Sequence, residues 1–179
     1  MSAAGRSEGE QRGAPGATDG RSRVAPSAAT ARILVADDED IVIRSTVRIL
    51  EGRGYRLDIA RDGAEALRMI QEADYDLAIL DIMMPKVDGI DVLRGIRESH
   101  PDVEVIMFTG LAQIETAVTC IKLGAFDYLA KPFDPDELRH AVERALERRR
   151  LRQENRDLRR EVSSRYRLDN MIGSSPRMQ

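Results

Sequence analysis

Three carboxylates and one ammonium stand at the ends of short apolar runs in this sequence. Asp37 and Asp38 follow Ile33-Leu34-Val35-Ala36, Asp81 follows Leu77-Ala78-Ile79-Leu80, and Lys131 follows a run that begins at Phe126. Another apolar run, residues 103–108, ends at the hydroxyl of Thr109. If the strands are neighbours, Asp38 and Asp81, with Asp37 behind them, come within a few ångströms of one another. Carboxylates that close raise one another's pKa unless a cation neutralises them. Mg²⁺ suits the task, because it takes one or two carboxylates and completes its octahedron with waters and phosphate oxygens. A carboxylate beside such an ion is a competent phosphoryl acceptor, since it forms an acyl phosphate. Of the three equatorial phosphoryl oxygens, one would fall to the metal and one to Lys131. The third would fall to Thr109 with backbone N–H groups.

The elements that must position these groups follow from pattern. Apolar runs near residues 32–36, 55–60, 76–81, 103–108 and 126–129 alternate with helical patterns near 41–51 and 113–123 and with two more, one carrying Ala66, Leu67 and Ile70 on one face and one carrying Ile90, Leu93 and Ile96. A final helix begins near Pro135. Gly52 and Gly54 stop the first helix, Asp62 caps the second, and Pro85 and Gly89 bracket the turn into the third. The run 76–81 is apolar throughout until its last residue, as a central strand covered on both faces should be. Five strand-then-helix units with short loops predict an α/β fold, a doubly wound five-stranded parallel sheet. Such sheets gather their functional groups outside the carboxyl ends of the strands.

Length and composition fit one domain with appendages. The chain has 179 residues, 42% of them hydrophobic, and a formal charge of −3 from 28 basic and 31 acidic residues. That balance does not advertise nucleic-acid binding, and no apolar run approaches the ~20 residues of a membrane span. Residues 1–30 are rich in Gly, Ala, Ser and Pro and lack the apolar core of a secretory signal, so a disordered extension is expected. A transit peptide would use Arg6, Arg12, Arg21 and Arg23, but Glu8, Glu10 and Asp19 argue against it. The lone Cys120 reads as a small core residue, and one cysteine fits a reducing, cytoplasmic setting. Met69, Met83, Met84 and Met107 read as core, and His100 and His140 as surface residues.

The pieces ILVADDED, LAILDIMMPKVDGIDVL, VIMFTG and DYLAKPF, in that order and spacing, carry a family resemblance. Residues 31–145 resemble the receiver domain of two-component response regulators. The resemblance implies a flavodoxin-like strand order, 2-1-3-4-5, with Asp81 as the phosphorylated aspartate. It implies an acidic pocket of Asp37 and Asp38, and Mg²⁺ ligation by Asp38, Asp81 and the backbone carbonyl of Met83. Lys131 would pair with the phosphoryl group, through a cis Lys131-Pro132 bond. Thr109 and Tyr128 would form the switch pair. The implied partner is a sensor histidine kinase acting as phosphodonor, and the implied output is regulation, expected to be of transcription.

The rest of the chain bears on output. From Leu151 the spacing Leu151, Asn155, Leu158, Val162 alternates four and three, a heptad seam with Asn at one core position. Residues 146–168 are thus expected to be a helical linker or coiled coil that favours a homodimer. Residues 169–179, ending in Met171-Ile172-Gly173-Ser174-Ser175-Pro176, are similar to the beginning of the AAA+ domain of NtrC-type, sigma-54-dependent regulators. No G-x-x-x-x-G-K-[ST] follows, so no ATPase is expected of these residues. Two other functions compete with this one. A phosphohydrolase with an Asp nucleophile would carry a second Asp two positions on, where Met83 stands. The arginines of residues 144–160 could meet nucleic acid, but Glu143, Glu147, Glu154, Asp157 and Glu161 interrupt them, which favours a solvated coil surface and no direct nucleic-acid binding. The expected role is that of a signalling module rather than an enzyme.

Overall fold

A computed structural model describes residues 30–110 and 114–172, with side chains for all of these but Ile114 and 165–172. The elements run β1 (Arg32–Ala36), α1 (Asp40–Leu50), β2 (Arg56–Ala60), α2 (Gly63–Glu72), β3 (Leu77–Asp81), α3 (Gly89–Ser99), β4 (Glu104–Thr109), α4 (Ile114–Lys122), β5 (Asp127–Ala130) and α5 (Pro135–Ile172). All strand pairs are parallel, in the order β2-β1-β3-β4-β5. Both the five-stranded α/β architecture and the strand order agree with expectation, and the strands, α1 and α4 begin and end within about two residues of the sequence pattern.

Side-chain alternation along the strands divides the core into two layers. Ile33, Val35, Leu77, Ile79, Ile106 and Phe108 pack under α1 and α5, against Leu50, Leu138, Ala141, Val142 and Ala145. Leu34, Ala36, Ala78, Leu80, Val105 and Met107 face the other way, against Ala66, Ile70, Val92, Leu93, Ile96 and Cys120. Helices therefore cover both faces, and β3, the central strand, is buried at every residue. Burial on both sides is why it is apolar except where it leaves the sheet, at Asp81. Asp62 and Asp88 cap α2 and α3 by accepting hydrogen bonds from the amides of Glu65 and Asp91. Gly52 and Gly54, both at φ near +77°, turn the chain out of α1.

Two expectations change. Met83 is 69% exposed, because the chain has already left the sheet two residues earlier; Met84 and Met107 are in the core as expected. The arginine-rich stretch is not merely a solvated surface. Arg148 and Arg152 reach Glu104, Arg149 reaches Asp76 and Arg156 reaches Asp102, so α5 is fastened to the strand starts where it leaves the sheet. The expected linker, 146–168, is continuous with α5, and the helix runs on to Ile172. Residues 1–29 and 173–179, and with them most of the expected N-terminal extension and AAA+ beginning, lie outside the described residues. Among the described residues, no helix is long and apolar enough to cross a membrane.

Candidate functional site: an acidic pocket at the carboxyl edge of the sheet

Neighbouring strands bring the site together. Ala36 of β1 pairs with Leu80 of β3, so the residues that follow each of them, Asp37 and Asp81, emerge side by side. Asp81 pairs in turn with Phe108 of β4, which sets Thr109 one step beyond it on the adjacent strand. Thr109 pairs with Ala130 of β5, and its carbonyl accepts a hydrogen bond from the Lys131 amide at 2.7 Å. The Lys131-Pro132 bond is cis, as the resemblance implied. Register alone thus delivers the residues that the sequence singled out to one edge.

The side chains converge. Lys131 Nζ lies 3.0 Å from Asp81 Oδ1 and 2.8 Å from Asp37 Oδ2. Asp37, Asp38 and Asp81 each offer an oxygen within 4.8 Å of the others. Asp37 and Asp81 are almost wholly buried, whereas Asp38 is exposed, so the cluster opens to solvent on one side. Asp37 Oδ1 accepts a hydrogen bond from the Glu39 amide at 2.8 Å. Asp37 Oδ2 is buried and makes no well-angled hydrogen bond, which leaves it a lone pair beyond its ion pair with Lys131. An all-oxygen, carboxylate-rich donor set with such an under-used oxygen fits a hard divalent cation such as Mg²⁺.

Electrostatics explain why Lys131 is needed. Burial is the largest influence on Asp81 and raises its pKa above the ordinary carboxylate value. The hydrogen bond and charge of Lys131 oppose that rise, while the negative charges of Asp37 and Asp38 add to it. Burial by itself would lower the pKa of Lys131. Hydrogen bonds and attraction from Asp37 and Asp81 outweigh it, and the pKa is raised. The ammonium therefore stays charged beside the buried carboxylates.

Backbone shape matters equally. The amide of Gly89 donates to the Ile82 carbonyl at 2.9 Å, folding the β3–α3 loop back over the strand end. A Cβ at Gly89 would come within 2.0 Å of the Asp81 carbonyl oxygen, so only glycine permits that approach. Met83, the expected carbonyl ligand, belongs to this loop. Thr109 is buried, and Tyr128 is 39% exposed on β5. The expected switch pair thus occupies neighbouring strands, with the tyrosine turned partly to solvent.

One site residue was not anticipated. Glu39 Oε1 lies 3.2 Å from Lys131 Nζ, making a third carboxylate on the same ammonium at the exposed lip. The signal was present as the third acid of Asp37-Asp38-Glu39-Asp40. A solvated helix start explains such a residue equally well, so sequence could not separate the two.

Known proteins bear on these features. Residues 33–143 match the response regulator receiver domain. Regulatory protein AtoC of Escherichia coli is 37% identical over 147 residues, covering 82% of this chain and 32% of that protein. Nitrogen assimilation regulatory protein NtrX of Azorhizobium caulinodans is 44% identical over 128 residues, covering 70% and 28%. The chain therefore spans about a third or less of the length of these curated relatives. Among solved structures, a CheY-like receiver domain protein from Methanospirillum hungatei superposes with a TM-score of 0.66 at 32% identity, over 69% of this chain and 99% of that one. NtrX from Brucella abortus, in complex with ADP, gives 0.69 at 39% identity over 75% of this chain and 30% of that one. With the fold, the acidic edge and these likenesses in agreement, the chain belongs to the response regulator receiver domain family of two-component systems, and its relatives are regulators of the NtrC type.

Proposed function

We propose that Asp81 accepts a phosphoryl group from a partner sensor histidine kinase and that the acyl phosphate switches the conformation of this domain. The observation that carries the reading is the buried Asp81 carboxylate held at 3.0 Å by Lys131 among two further aspartates. In the transfer, an Asp81 oxygen attacks the phosphorus of a phosphohistidine. The P–N bond breaks and its electron pair returns to the imidazole nitrogen, leaving an acyl phosphate on Asp81. Mg²⁺, bound by Asp37, Asp38, Asp81 and the Met83 carbonyl, would supply neutralisation of phosphoryl charge. Lys131, already positioned beside Asp81 and Asp37, pairs with one phosphoryl oxygen, and Thr109 receives another. Glu39 gives up its share of Lys131 as the new anion forms.

A protein phosphodonor suits the surroundings. A groove of about 640 Å³ beside the site is lined by Ile41, Val42, Lys131 and Phe133, and Ile41 is 73% exposed. An exposed apolar residue on the rim of an ionic centre suits contact with a protein surface. The phosphoryl group adds about −1.5 to −2 charge. We assign Thr109 to move toward it and Tyr128 to follow, which alters the face made by α4, β5 and α5. Two copies joined through the extended part of α5 would carry that change to a transcriptional output in the cytoplasm.

The test is labelling with acetyl phosphate and Mg²⁺. Wild-type protein should acquire one acid-stable, base-labile phosphoryl group, and Asp81→Asn should acquire none. Undiminished labelling of that variant would overturn the assignment.

A further inference from the structure

Glu39 stands immediately before α1, at the position from which a side chain can cap a helix, yet it makes no capping hydrogen bond. Its backbone is held on both sides. The Glu39 amide donates to Asp37 Oδ1 at 2.8 Å, and its carbonyl accepts from the amides of Val42 and Ile43 at 3.0 and 3.1 Å. From that fixed start the side chain turns to the end of β5, where Oε1 accepts a hydrogen bond from Lys131 Nζ at 3.2 Å. A solvated helix start does not account for this contact.

An ammonium has three hydrogens, and three carboxylates surround this one: Asp37 at 2.8 Å, Asp81 at 3.0 Å and Glu39 at 3.2 Å. The contact with Glu39 has good hydrogen-bond geometry, whereas Asp37 Oδ2 makes no well-angled hydrogen bond. A phosphoryl oxygen that pairs with Lys131 must therefore displace one of the three. The side chains of Asp37 and Asp81 are 0 and 3% exposed, and either, once displaced, would be a buried charge parted from its cation. Glu39 is 57% exposed, so water solvates its carboxylate on release. The least costly exchange is the phosphoryl oxygen for Glu39.

We propose that Glu39 is a positioning residue that sets how fast Asp81 is phosphorylated, by occupying Lys131 until the phosphoryl group arrives. This rests on the phosphoryl-acceptor reading above and adds to it the residue that regulates loading of the site. The effect has a direction. In the resting site Glu39 holds the ammonium, and that hold is broken before the transition state for transfer is reached. An interaction made in the ground state and lost in the transition state raises the barrier. In the phosphorylated site the phosphoryl oxygen already has Lys131, and it keeps it in the transition state for hydrolysis. Glu39 therefore slows loading and leaves the lifetime of the acyl phosphate unchanged. An ion pair half open to water is weak, so the factor is about two- to fivefold.

Rates of labelling and of label loss in the full chain, with acetyl phosphate and Mg²⁺, test this. Glu39→Ala removes the carboxylate without removing a cap, and should load about two- to fivefold faster than wild type. Its label should decay at the wild-type rate, within about twofold. Calorimetry with beryllofluoride, a stable mimic of the acyl phosphate, gives a reading that involves no turnover, and Glu39→Ala should bind it tighter by a factor similar to the gain in loading. Glu39→Asp keeps the charge but is one methylene too short to reach Lys131 from the pinned backbone, so it should load as fast as Glu39→Ala. Wild-type loading by Glu39→Ala would overturn the proposal while leaving Asp81 as the acceptor. Wild-type loading by Glu39→Asp would overturn it as well, because charge near the pocket would then suffice without contact. A changed label lifetime in Glu39→Ala would put Glu39 on the hydrolytic water instead of on Lys131, which is equally fatal. Undiminished labelling of Asp81→Asn would sink the acceptor reading itself, and this inference with it.

Discussion

Asp81 is held between opposing influences: burial and two neighbouring aspartates favour its neutral form, while Lys131 favours its charged form. A group so balanced responds strongly to any cation added beside it. Its position is set by backbone as well as charge, which makes Gly89 a sensitive point. Gly89→Ala places a Cβ 2.0 Å from the Asp81 carbonyl oxygen, a clash that only movement of the β3 end or its loop can relieve. We expect a loss of about 1–3 kcal/mol in stability together with slower phosphoryl labelling of Asp81. Urea melts and a labelling time course check this; wild-type behaviour in both would show that the close approach is not needed. Asp37, Asp38, Asp81 and Lys131 were legible in the sequence because each interrupts an apolar run. Glu39 was not, because an exposed acid at a helix start has several ordinary explanations.

At the level of elements, strand starts are tied together by a second polar cluster, remote from the acidic pocket. Arg32 Nε lies 2.6 Å from Asp58 Oδ2, and the Tyr75 hydroxyl donates to the same oxygen at 3.0 Å. The Arg32 guanidinium also covers the Tyr75 ring at 4.7 Å. Burial, the largest single influence on Asp58, would raise its pKa. The hydrogen bonds of Arg32 and Tyr75 and the charge of Arg32 outweigh it, so the pKa is lowered. A carboxylate whose folded pKa lies below its unfolded value of about 3.9 contributes stability that is full above that pH. The contribution is lost as pH falls through the lower, folded value. Asp58→Asn should therefore cost about 1–2 kcal/mol at neutral pH and flatten the acid limb of a plot of urea midpoint against pH. An acid limb identical to wild type would dismiss the cluster as a contributor. None of this was visible beforehand, since Arg32, Asp58 and Tyr75 are far apart in sequence and carry no motif.

Over the whole molecule, β4 joins two centres. Its last residue, Thr109, stands at the sheet edge where the acidic pocket lies, one step beyond the partner of Asp81, and its first, Glu104, meets Arg148 and Arg152 of α5. Glu104→Gln would leave those half-exposed guanidiniums without their shared carboxylate, at a cost of about 1 kcal/mol after solvent screening. Faster amide exchange along residues 146–156 should accompany it, while Asp81 still labels. Unchanged exchange there would mean that the fastening does not hold the helix. Sequence by itself determined the alternation of strands and helices, the buried central strand and the residues of the acidic edge. It could do so because periodicity and chain punctuation are local properties, and a charge ending an apolar run is conspicuous. The strand order entered only through family resemblance, since the pairing of β1 with β3 is a long-range choice that no local pattern encodes. Only the tertiary structure decided that the arginines of α5 are spent on carboxylates at the strand starts, and that Glu39 shares Lys131. Those pairings depend on where separate elements meet, which distance along the chain does not reveal.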